Sequence, residues 1–243
     1  MNHQAQVERL FEALIDGDRI AARRIADTAM NNGLAAREMI SELYWPTHEL
    51  IEKLHRGDQI TTIAYQLSTR LLRVLADQAA ALLDMPEKRT AQVFVSCGPS
   101  QGEELAAQMA TDLLECDGYL VTFTGGGIPA DEIISQVQER SPEVLLMFGS
   151  AASDLPGIRQ VIDTLREIAA CPNTRIIVGG GVFARAEGLA DEIGADGFAE
   201  NPMELHEVLS DAISTGVAER RAELAAEREM DRAQVRKRRR HAA

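Results

Sequence analysis

The chain has 243 residues, of which 45% are hydrophobic, enough for one large folded domain or two small ones. Asp and Glu number 38 against 25 Lys and Arg, so the formal net charge is -13. That charge argues against a body that binds nucleic acid or anionic membranes. No apolar run reaches the ~18 residues of a membrane span, and the N-terminus reads as an amphipathic helix rather than a secretory signal, so we predict a cytoplasmic protein.

The three cysteines, Cys97, Cys116 and Cys171, are scattered and lack the spacing of metal ligands. We therefore expect buried free thiols in a reducing compartment. Cys97 stands at the end of a predicted strand and close to a helix start, where the pKa of a thiol can fall. Since no His lies beside it in the sequence, an inert buried thiol is the favoured interpretation.

The first third of the chain carries helical periodicity. Apolar residues recur every three or four positions through residues 4–84, with breaks at 16–18 and 31–33. Pro46 lies inside the third helical run, so that helix should kink or restart there. The pattern predicts a four-helix bundle over residues 1–86, which we call the cap.

Several polar and aromatic side chains in the third and fourth helices of the cap are candidates for a ligand-facing patch. The competing interpretation is that the aromatic rings anchor the cap core and the histidines are half-exposed helix residues. The candidates are Tyr44, Trp45, His48, His55, Tyr65 and Gln66.

The periodicity changes from helix to strand after a polar, Pro-containing segment at 85–89, which marks the predicted domain boundary. Nearly continuous apolar strands then alternate with amphipathic helices, a pattern typical of a parallel sheet covered on both faces. The predicted strand segments are 93–97, 119–123, 144–150, 175–181 and 197–199. We therefore predict a doubly wound α/β domain with five parallel strands over residues 90–212.

Three Gly- or Ser-rich segments follow strands of this sheet: Gly98–Glu104, Gly149–Ser153 and Gly179–Gly181. Tight strand-to-helix turns need small residues, but three such loops on one rim favour a binding crevice. A dinucleotide site is excluded, because the G-x-G-x-x-G fingerprint and the P-loop lysine are both missing. The triplet Gly125–Gly127 leads into a proline and two acids that would repel a pyrophosphate.

Glu103 and Glu104 fall at a predicted helix start, where the helix dipole stabilises negative charge. Helix stabilisation is therefore the favoured interpretation of both. No Ser-His-Asp set and no cluster of metal ligands accompanies them in the sequence. We predict a binding protein rather than an enzyme.

The order of parts resembles the cobalamin-binding modules of methionine synthase, corrinoid methyl-carrier proteins and cobalamin-dependent photoreceptor regulators. Ser150-Ala151-Ala152 stands where that family has Ser-x-Leu, Gly179–Gly181 where it has a Gly-Gly turn, and IGADGFAENPMEL continues the likeness. The resemblance covers roughly residues 5–210 and implies a flavodoxin-like fold, a helical cap and cobalamin as the cofactor. It also implies that Ser150, Ala152, Gly179, Gly180 and Gly181 line the slot for the nucleotide tail.

The axial cobalt ligands of that family are replaced here. Its first loop carries Asp-x-His-x-x-Gly, and those positions fall on Gln101, Glu103 and Ala106, with Gly102 between the first two. A carboxylate is a poorer donor to corrin cobalt than an imidazole, and it costs more to bury.

The photoreceptor-type cap carries a Trp and, further along, Glu-His. These positions fall on His55, Tyr65 and Gln66. His55 remains the one candidate cobalt donor from the cap side, although this exchange is equally a packing change. Trp45 completes the predicted ligand-facing set.

Residues 216–243 form the third predicted segment, a charged helical tail that ends in the five cations Arg236–Arg240. This run could contact nucleic-acid phosphates or an acidic protein face, including this protein's own, or serve as a disordered solubilising end. No DNA-reading module accompanies it.

These observations favour a sensory or regulatory protein that binds a corrinoid, or another large ligand, between cap and sheet without the usual axial His. It would signal through protein contacts of the cap or tail, and a homodimer fits this role. One alternative is a corrinoid carrier subunit of a methyltransferase system. Another is a ligand-free interaction scaffold in which Trp45 and Tyr65 fill the gap between cap and sheet.

Overall fold

The structure is a computed structural model that describes residues 3–87, 91–169 and 171–216. The predictions for the tail, including Arg236–Arg240, lie outside the described residues, as do 88–90 at the predicted boundary. The division into cap, sheet domain and tail therefore stays a prediction.

The first two cap helices begin and end at local sequence signals. Helix α1 spans His3–Ile15 and α2 spans Arg19–Asn31. The side chain of Asp18 accepts the first free backbone N–H groups of α2, as an N-cap residue does. Gly33, with a φ of +97°, then turns the chain away from α2.

The third helical run changes its hydrogen bonding just before Pro46. A short α3, Ala36–Glu38, passes into a π-helical segment, Met39–Tyr44, and α4 then spans Trp45–Arg56. Proline has no N–H to donate to the preceding turn, so a change of register at this point accommodates it. The predicted restart at Pro46 is confirmed.

Helix α5, Thr62–Ala80, completes the cap. Tyr44 is 1% exposed inside the cap core, so its interpretation as a core anchor is confirmed and its candidacy as a ligand-facing residue is wrong. The cap core is built mainly from aliphatic side chains of all four helical runs, among them Leu10, Leu14, Ala26, Met39, Ile40, Leu43, Leu72 and Leu75.

The five predicted strands are present and all pair in parallel. Their order in the sheet is β2-β1-β3-β4-β5, which is the flavodoxin-like order and confirms the predicted fold class. The strands are β1 Gln92–Cys97, β2 Leu120–Gly126, β3 Val144–Phe148, β4 Arg175–Gly179 and β5 Gly197–Ala199.

Helices cover both faces of the sheet. Alternate strand residues point to opposite faces, so Val95 and Leu146 pack under α6 and α11, whereas Phe94 and Met147 pack under α7 and α8. The helices are α6 Gln101–Cys116, α7 Ala130–Arg140, α8 Leu155–Glu167, α9 Gly181–Arg185, α10 Leu189–Glu192 and α11 over 205–216.

Helix α6 belongs to two cores at once. Leu105, Met109 and Leu113 pack into the cap core, while Ala107 and Leu114, on the other side of the helix, pack against the sheet. The cap therefore rests on the helix that follows β1, directly beside the carboxyl edge of the sheet.

Within the described residues, no helix is both long and apolar enough to cross a membrane. The three cysteines are free thiols, as predicted, but they are half-buried rather than buried.

Candidate functional site

The candidate site lies where β1, β3 and β4 end, at the point where the strand order reverses. The predicted loop Gly98–Glu104 is shorter than expected, because α6 already begins at Gln101. Ser100 ends the loop as N-cap: its Oγ accepts the N–H of Glu103 at 3.1 Å, and Glu103 Oε2 accepts the N–H of Ser100 at 3.1 Å. This reciprocal capping box sets the position of the first turn of α6.

Glu103 is buried, with 4% of its surface exposed, and it reaches beyond its own helix. Its Oε1 accepts the backbone N–H of Ser150 at 2.6 Å, which ties the start of α6 to the loop after β3. The carboxylate lies so close to Gly98 that a Cβ there would be 2.5 Å from Oε2. The predicted helix-start role is confirmed, and the cross-loop bond is an addition that the sequence did not reveal.

Asp154 lies beside Glu103 in this cluster. Its Oδ2 accepts the N–H groups of Ser150 at 3.0 Å and Ala151 at 2.8 Å, so Glu103 and Asp154 share the N–H of Ser150 as a donor. Burial, followed by the neighbouring Asp154 side chain, raises the pKa of Glu103 above its ordinary value.

The loop after β4 closes against the loop after β3. Arg185 donates to the carbonyl of Ser150 at 2.6 Å. Gly180 adopts a φ of +96°, and a Cβ there would be 2.5 Å from the carbonyl oxygen of Gly149. A Cβ at Gly179 would be 3.1 Å from the ring of Phe148. The space between these loops is therefore filled by the chain itself.

His48 joins the cap to α6. Its Nε2 lies 3.1 Å from the carbonyl oxygen of Gly102. Burial, and secondarily the charge of Arg56, lowers the pKa of His48 to about 4, so the ring is neutral near pH 7. Because a carbonyl can only accept, the contact assigns the imidazole proton to Nε2.

Tyr65 and Glu52 form the second contact between the cap and α6. The hydroxyl of Tyr65 donates to Glu52 Oε1 at 2.8 Å, and a Cβ added at Gly102 would overlap both groups. Burial, and then the charge of Glu52, raises the pKa of Tyr65 above its ordinary value. The ring of His55 stacks on that of Tyr65, with centroids 3.8 Å apart and planes 13° from parallel.

Comparison with known proteins gives a match to one family model. Residues 91–206, a little under half of the chain, match the model of the B12 binding domain. The match covers the strands and leaves the cap helices α1 to α5 outside it.

The relatives of this chain include two corrinoid proteins. Dimethylamine corrinoid protein 1 of Methanosarcina acetivorans is 28% identical over 101 residues, which is 42% of this chain and 46% of that protein. Monomethylamine corrinoid protein 1 of Methanosarcina mazei is 20% identical over 214 residues, 86% of this chain and 97% of that protein. The first alignment thus spans less than half of the relative's length, and the second spans nearly all of it.

A solved structure shares the fold. The monomethylamine corrinoid protein of Methanosarcina barkeri superposes with a TM-score of 0.74 at 15% identity, covering 87% of this chain and 99% of that one. The likeness therefore extends over the helical cap as well as the sheet.

The structure brings part of the predicted residue set to one edge of the sheet. Gly102, Glu103, Ser150, Gly179 and Gly180 lie at the meeting point of the three loops. His55 and Tyr65 lie above Gly102 in the cap.

The other predicted site residues stand apart from that cluster. Gln101 is exposed, and its carbonyl accepts from Arg73 at 3.3 Å. Ala152 is exposed in a 3-10 turn, and Gly181 begins α9. Trp45 packs against the cap core with its ring 5.7 Å from that of His48, and Gln66 is half-buried in α5.

Three residues of the site were missed by the sequence analysis: Glu52, Asp154 and Arg185. Glu52 follows His48 by one helical turn, a spacing that places both on one face of α4 and could have revealed it. Asp154 accepts the N–H groups of Ser150 and Ala151 in its own loop, so its position at the start of a helical turn could have revealed it. No local signal distinguishes Arg185, because its partner Ser150 comes from another loop.

The donor groups at this edge do not fit the ligation of a cobalt ion. Both oxygens of Glu103 accept backbone N–H groups, and Nε2 of His48 is bonded to Gly102. One face of the His55 ring is covered by Tyr65. Glu103 and Nε2 of His48 are thus engaged with the protein, and the His55 ring is held in place by its stacking on Tyr65.

The spacing between cap and sheet edge does not fit a corrin ring in this conformation. A flat macrocycle between two surfaces needs about 7 Å, since each van der Waals contact takes about 3.5 Å. His48 and Gly102 are 3.1 Å apart. A corrinoid at this position would require the cap to move away from Gly102.

Proposed function

We propose that this protein is a regulatory cobalamin-binding protein that takes a corrinoid between cap and sheet edge without an axial His of its own. The observation that carries the proposal is the direct contact of the cap with Gly102 through His48, Tyr65 and Glu52. A ligand between the cap and Gly102 would occupy the space that His48, Tyr65 and Glu52 fill in this conformation, so the cap cannot keep this position when the ligand is bound. Binding would thus be converted into a change of cap position that a protein partner could read.

The chemistry of cobalt supports binding without a protein donor. A corrinoid that keeps its own tail base on cobalt needs no ligand from below. Glu103, at the position of the family's His, remains free to hold the loops together. The relatives named as corrinoid proteins support a corrinoid as the ligand class.

One alternative is a corrinoid carrier subunit of a methyltransferase system. It is favoured by an alignment that covers 97% of Monomethylamine corrinoid protein 1 of Methanosarcina mazei. It is disfavoured by Glu103, whose buried carboxylate is locked by Ser100 and Ser150 where a carrier would control cobalt from below.

The test is titration of the full chain with hydroxo-, methyl- and adenosylcobalamin, followed by a desalting column and visible spectra. We expect stoichiometric retention, spectra with the tail base still on cobalt, and faster amide hydrogen exchange in α4 of the loaded protein. Ser150→Trp, which places a large ring among the three loops, should abolish retention.

Two other results would decide for the alternatives. Retention with the tail base displaced from cobalt would favour the carrier. Failure of all three cobalamins to be retained would overturn corrinoid binding and leave the ligand-free scaffold. Glu103→His serves as the matched variant. If the bound corrinoid places its cobalt above residue 103, the introduced imidazole should bind cobalt and change the visible spectrum.

A further inference from the structure

A cavity outside the contact between cap and α6 lies on the opposite face of the sheet from α6. Its volume is about 270 Å³, and its apolar wall is formed by side chains of α7, β3 and α8: Ile133, Met147, Ile158 and Val161. All four belong to the core between the sheet and α7 and α8, not to the core shared with α6. The cavity opens at the carboxyl ends of β1 and β3, where doubly wound sheets place ligands.

The glycine triplet Gly125–Gly127 shapes the mouth of this cavity. The proposed function gives these three glycines no role. Gly125 and Gly127 have φ angles of +77° and +72°, a region that favours glycine. A Cβ at Gly126 would overlap the carbonyl oxygen of Gly98. The triplet therefore lets the chain after β2 lie directly against Gly98 and Pro99, which form one rim of the mouth.

Gly157, in the first turn of α8, forms the other rim. A Cβ added at this residue would have no heavy atom within 4 Å. Alanine would fit at this position and would stabilise the helix more than glycine does. Glycine leaves the space beside α8 open instead. The result is an accessible entrance above Ile158 and Val161.

The polar end of the cavity is acidic. Asp154 lines it and is the one charged side chain among the described residues that form its wall. Cys97 also lines it, and burial, followed by the charges of Glu103 and Glu104, raises the pKa of this thiol to about 12, so the thiol is neutral. A carboxylate without a basic side chain in the same wall favours a cationic ligand over an anionic one.

We infer that this cavity binds a small organic amine in its protonated form, with the ammonium at Asp154 and the carbon skeleton between Ile133, Met147 and Ile158. The cavity is slightly smaller than the ~300 Å³ at the lower end of common ligand sites, which selects a compact molecule. The ammonium donates a hydrogen bond to the Asp154 carboxylate. The apolar wall of this cavity lies on the other face of the sheet from α6, although Asp154 also bonds to Ser150 of the loop cluster.

The experiment compares three ligands that have the same carbon ring and different head groups: cyclohexylammonium, cyclohexanol and cyclohexanecarboxylate. Each is titrated into the full chain with labelled Ile, Val and Met methyl groups, and methyl shifts are followed by NMR. We expect saturable shifts at Ile133, Met147 and Ile158, with cyclohexylammonium binding about tenfold tighter than cyclohexanol and the carboxylate not binding. Absent shifts, equal affinities or a preference for the carboxylate would overturn the inference.

Substitutions at the mouth test the location. Gly157→Leu places a large side chain over the entrance, at a position where the added Cβ meets no atom within 4 Å, and should weaken cyclohexylammonium binding at least tenfold. Gly157→Ala should bind as the unchanged protein does. Asp154→Asn should remove the preference for the ammonium over the alcohol. Unchanged binding to Gly157→Leu would place the ligand elsewhere and refute the site.

The outcome is separable from that of the proposed function. Gly157→Leu should retain cobalamin as the unchanged protein does, because Gly157 lies outside the loop cluster around Gly102 and Ser150. Loss of amine binding with intact cobalamin retention is the expected pattern.

Discussion

Glu103 shows how a buried carboxylate can hold two loops together. Its oxygens close a capping box with Ser100 and accept the backbone N–H of Ser150. Burying a carboxylate costs several kcal/mol unless it is paired, and here the N–H groups of Ser100 and Ser150 provide partners. Glu103 therefore fixes the position of the loop after β3 relative to the start of α6.

Asp112 carries a prediction at the same scale. It is 9% exposed in α6, its Oδ2 has no hydrogen-bond partner in the described part of the chain, and burial, followed by Glu115 and Asp77, raises its pKa to about 7. The unfolded chain releases this proton near pH 3.9, so the free energy of unfolding falls between about pH 4 and pH 7 and is level above. Asp112→Asn should therefore stabilise the protein by roughly 1–3 kcal/mol at pH 8.5 and much less at pH 5.5.

Urea unfolding of both proteins at the two pH values measures this difference. Asp211→Asn, an exposed aspartate of the last described helix, is the matched control and should show no pH-dependent gain. An equal effect of Asp112→Asn at pH 5.5 and pH 8.5 would contradict the assigned burial effect.

At the scale of elements, α6 determines where the cap stands. Its first turn meets the cap at Gly102, where His48, Tyr65 and Glu52 converge, and its next turns pack Leu105 into the cap core. Because Gly102 has no Cβ, the side chains of Tyr65 and Glu52 can approach the backbone of α6 at this contact. The observed position of the cap therefore requires a glycine at residue 102.

Gly102→Ala tests this contact. Alanine favours a helix by about 1 kcal/mol over glycine, but its Cβ would overlap Tyr65 and Glu52, so we expect a net loss of about 1–3 kcal/mol. Amide exchange should quicken in α4 and in the first turn of α6, as measured by mass spectrometry.

The control is Gly157→Ala, where the added Cβ meets no atom within 4 Å. This variant should be as stable as the unchanged protein or slightly more so. If Gly102→Ala behaved like Gly157→Ala, the proposed tight contact between cap and α6 would be wrong.

At the scale of the whole molecule, the cap and the sheet are joined by helix α6, which packs into both of their cores, and not only by the segment that connects them in sequence. Since α6 contributes to both cores, we expect cap and sheet to unfold in a single cooperative transition. Trp45, the one tryptophan of the sequence, reports on the cap by fluorescence, and far-UV circular dichroism reports on all helices and strands.

The two urea midpoints should coincide. Leu14→Ala, a cavity in the cap core remote from the strands, should lower both together by an amount that corresponds to about 2–5 kcal/mol. Separate midpoints, or a Leu14→Ala effect confined to the fluorescence signal, would instead support the predicted boundary near residue 86 as a division between independent units.

Local patterns were sufficient for most elements. Asp18 and Gly33 mark helix ends through hydrogen bonds and backbone angles that involve near neighbours only. The strand segments were visible because a parallel sheet buried on both faces demands nearly continuous apolar runs. The predicted loop 98–104 is too long because Ser100 and Glu103 form a capping box that starts α6 at Gln101, and their spacing in the sequence is that of the motif.

The sequence by itself determined the helical cap, the parallel sheet and the glycine-rich rim, because each depends on residue type and spacing along the chain. Only the tertiary structure decided which partners Glu103 and His48 bond to. Glu103 meets Ser150 across 47 residues and His48 meets Gly102 across 54. Such bonds form only after the sheet brings the ends of its strands together and α6 carries the cap onto them, and no local pattern encodes that geometry.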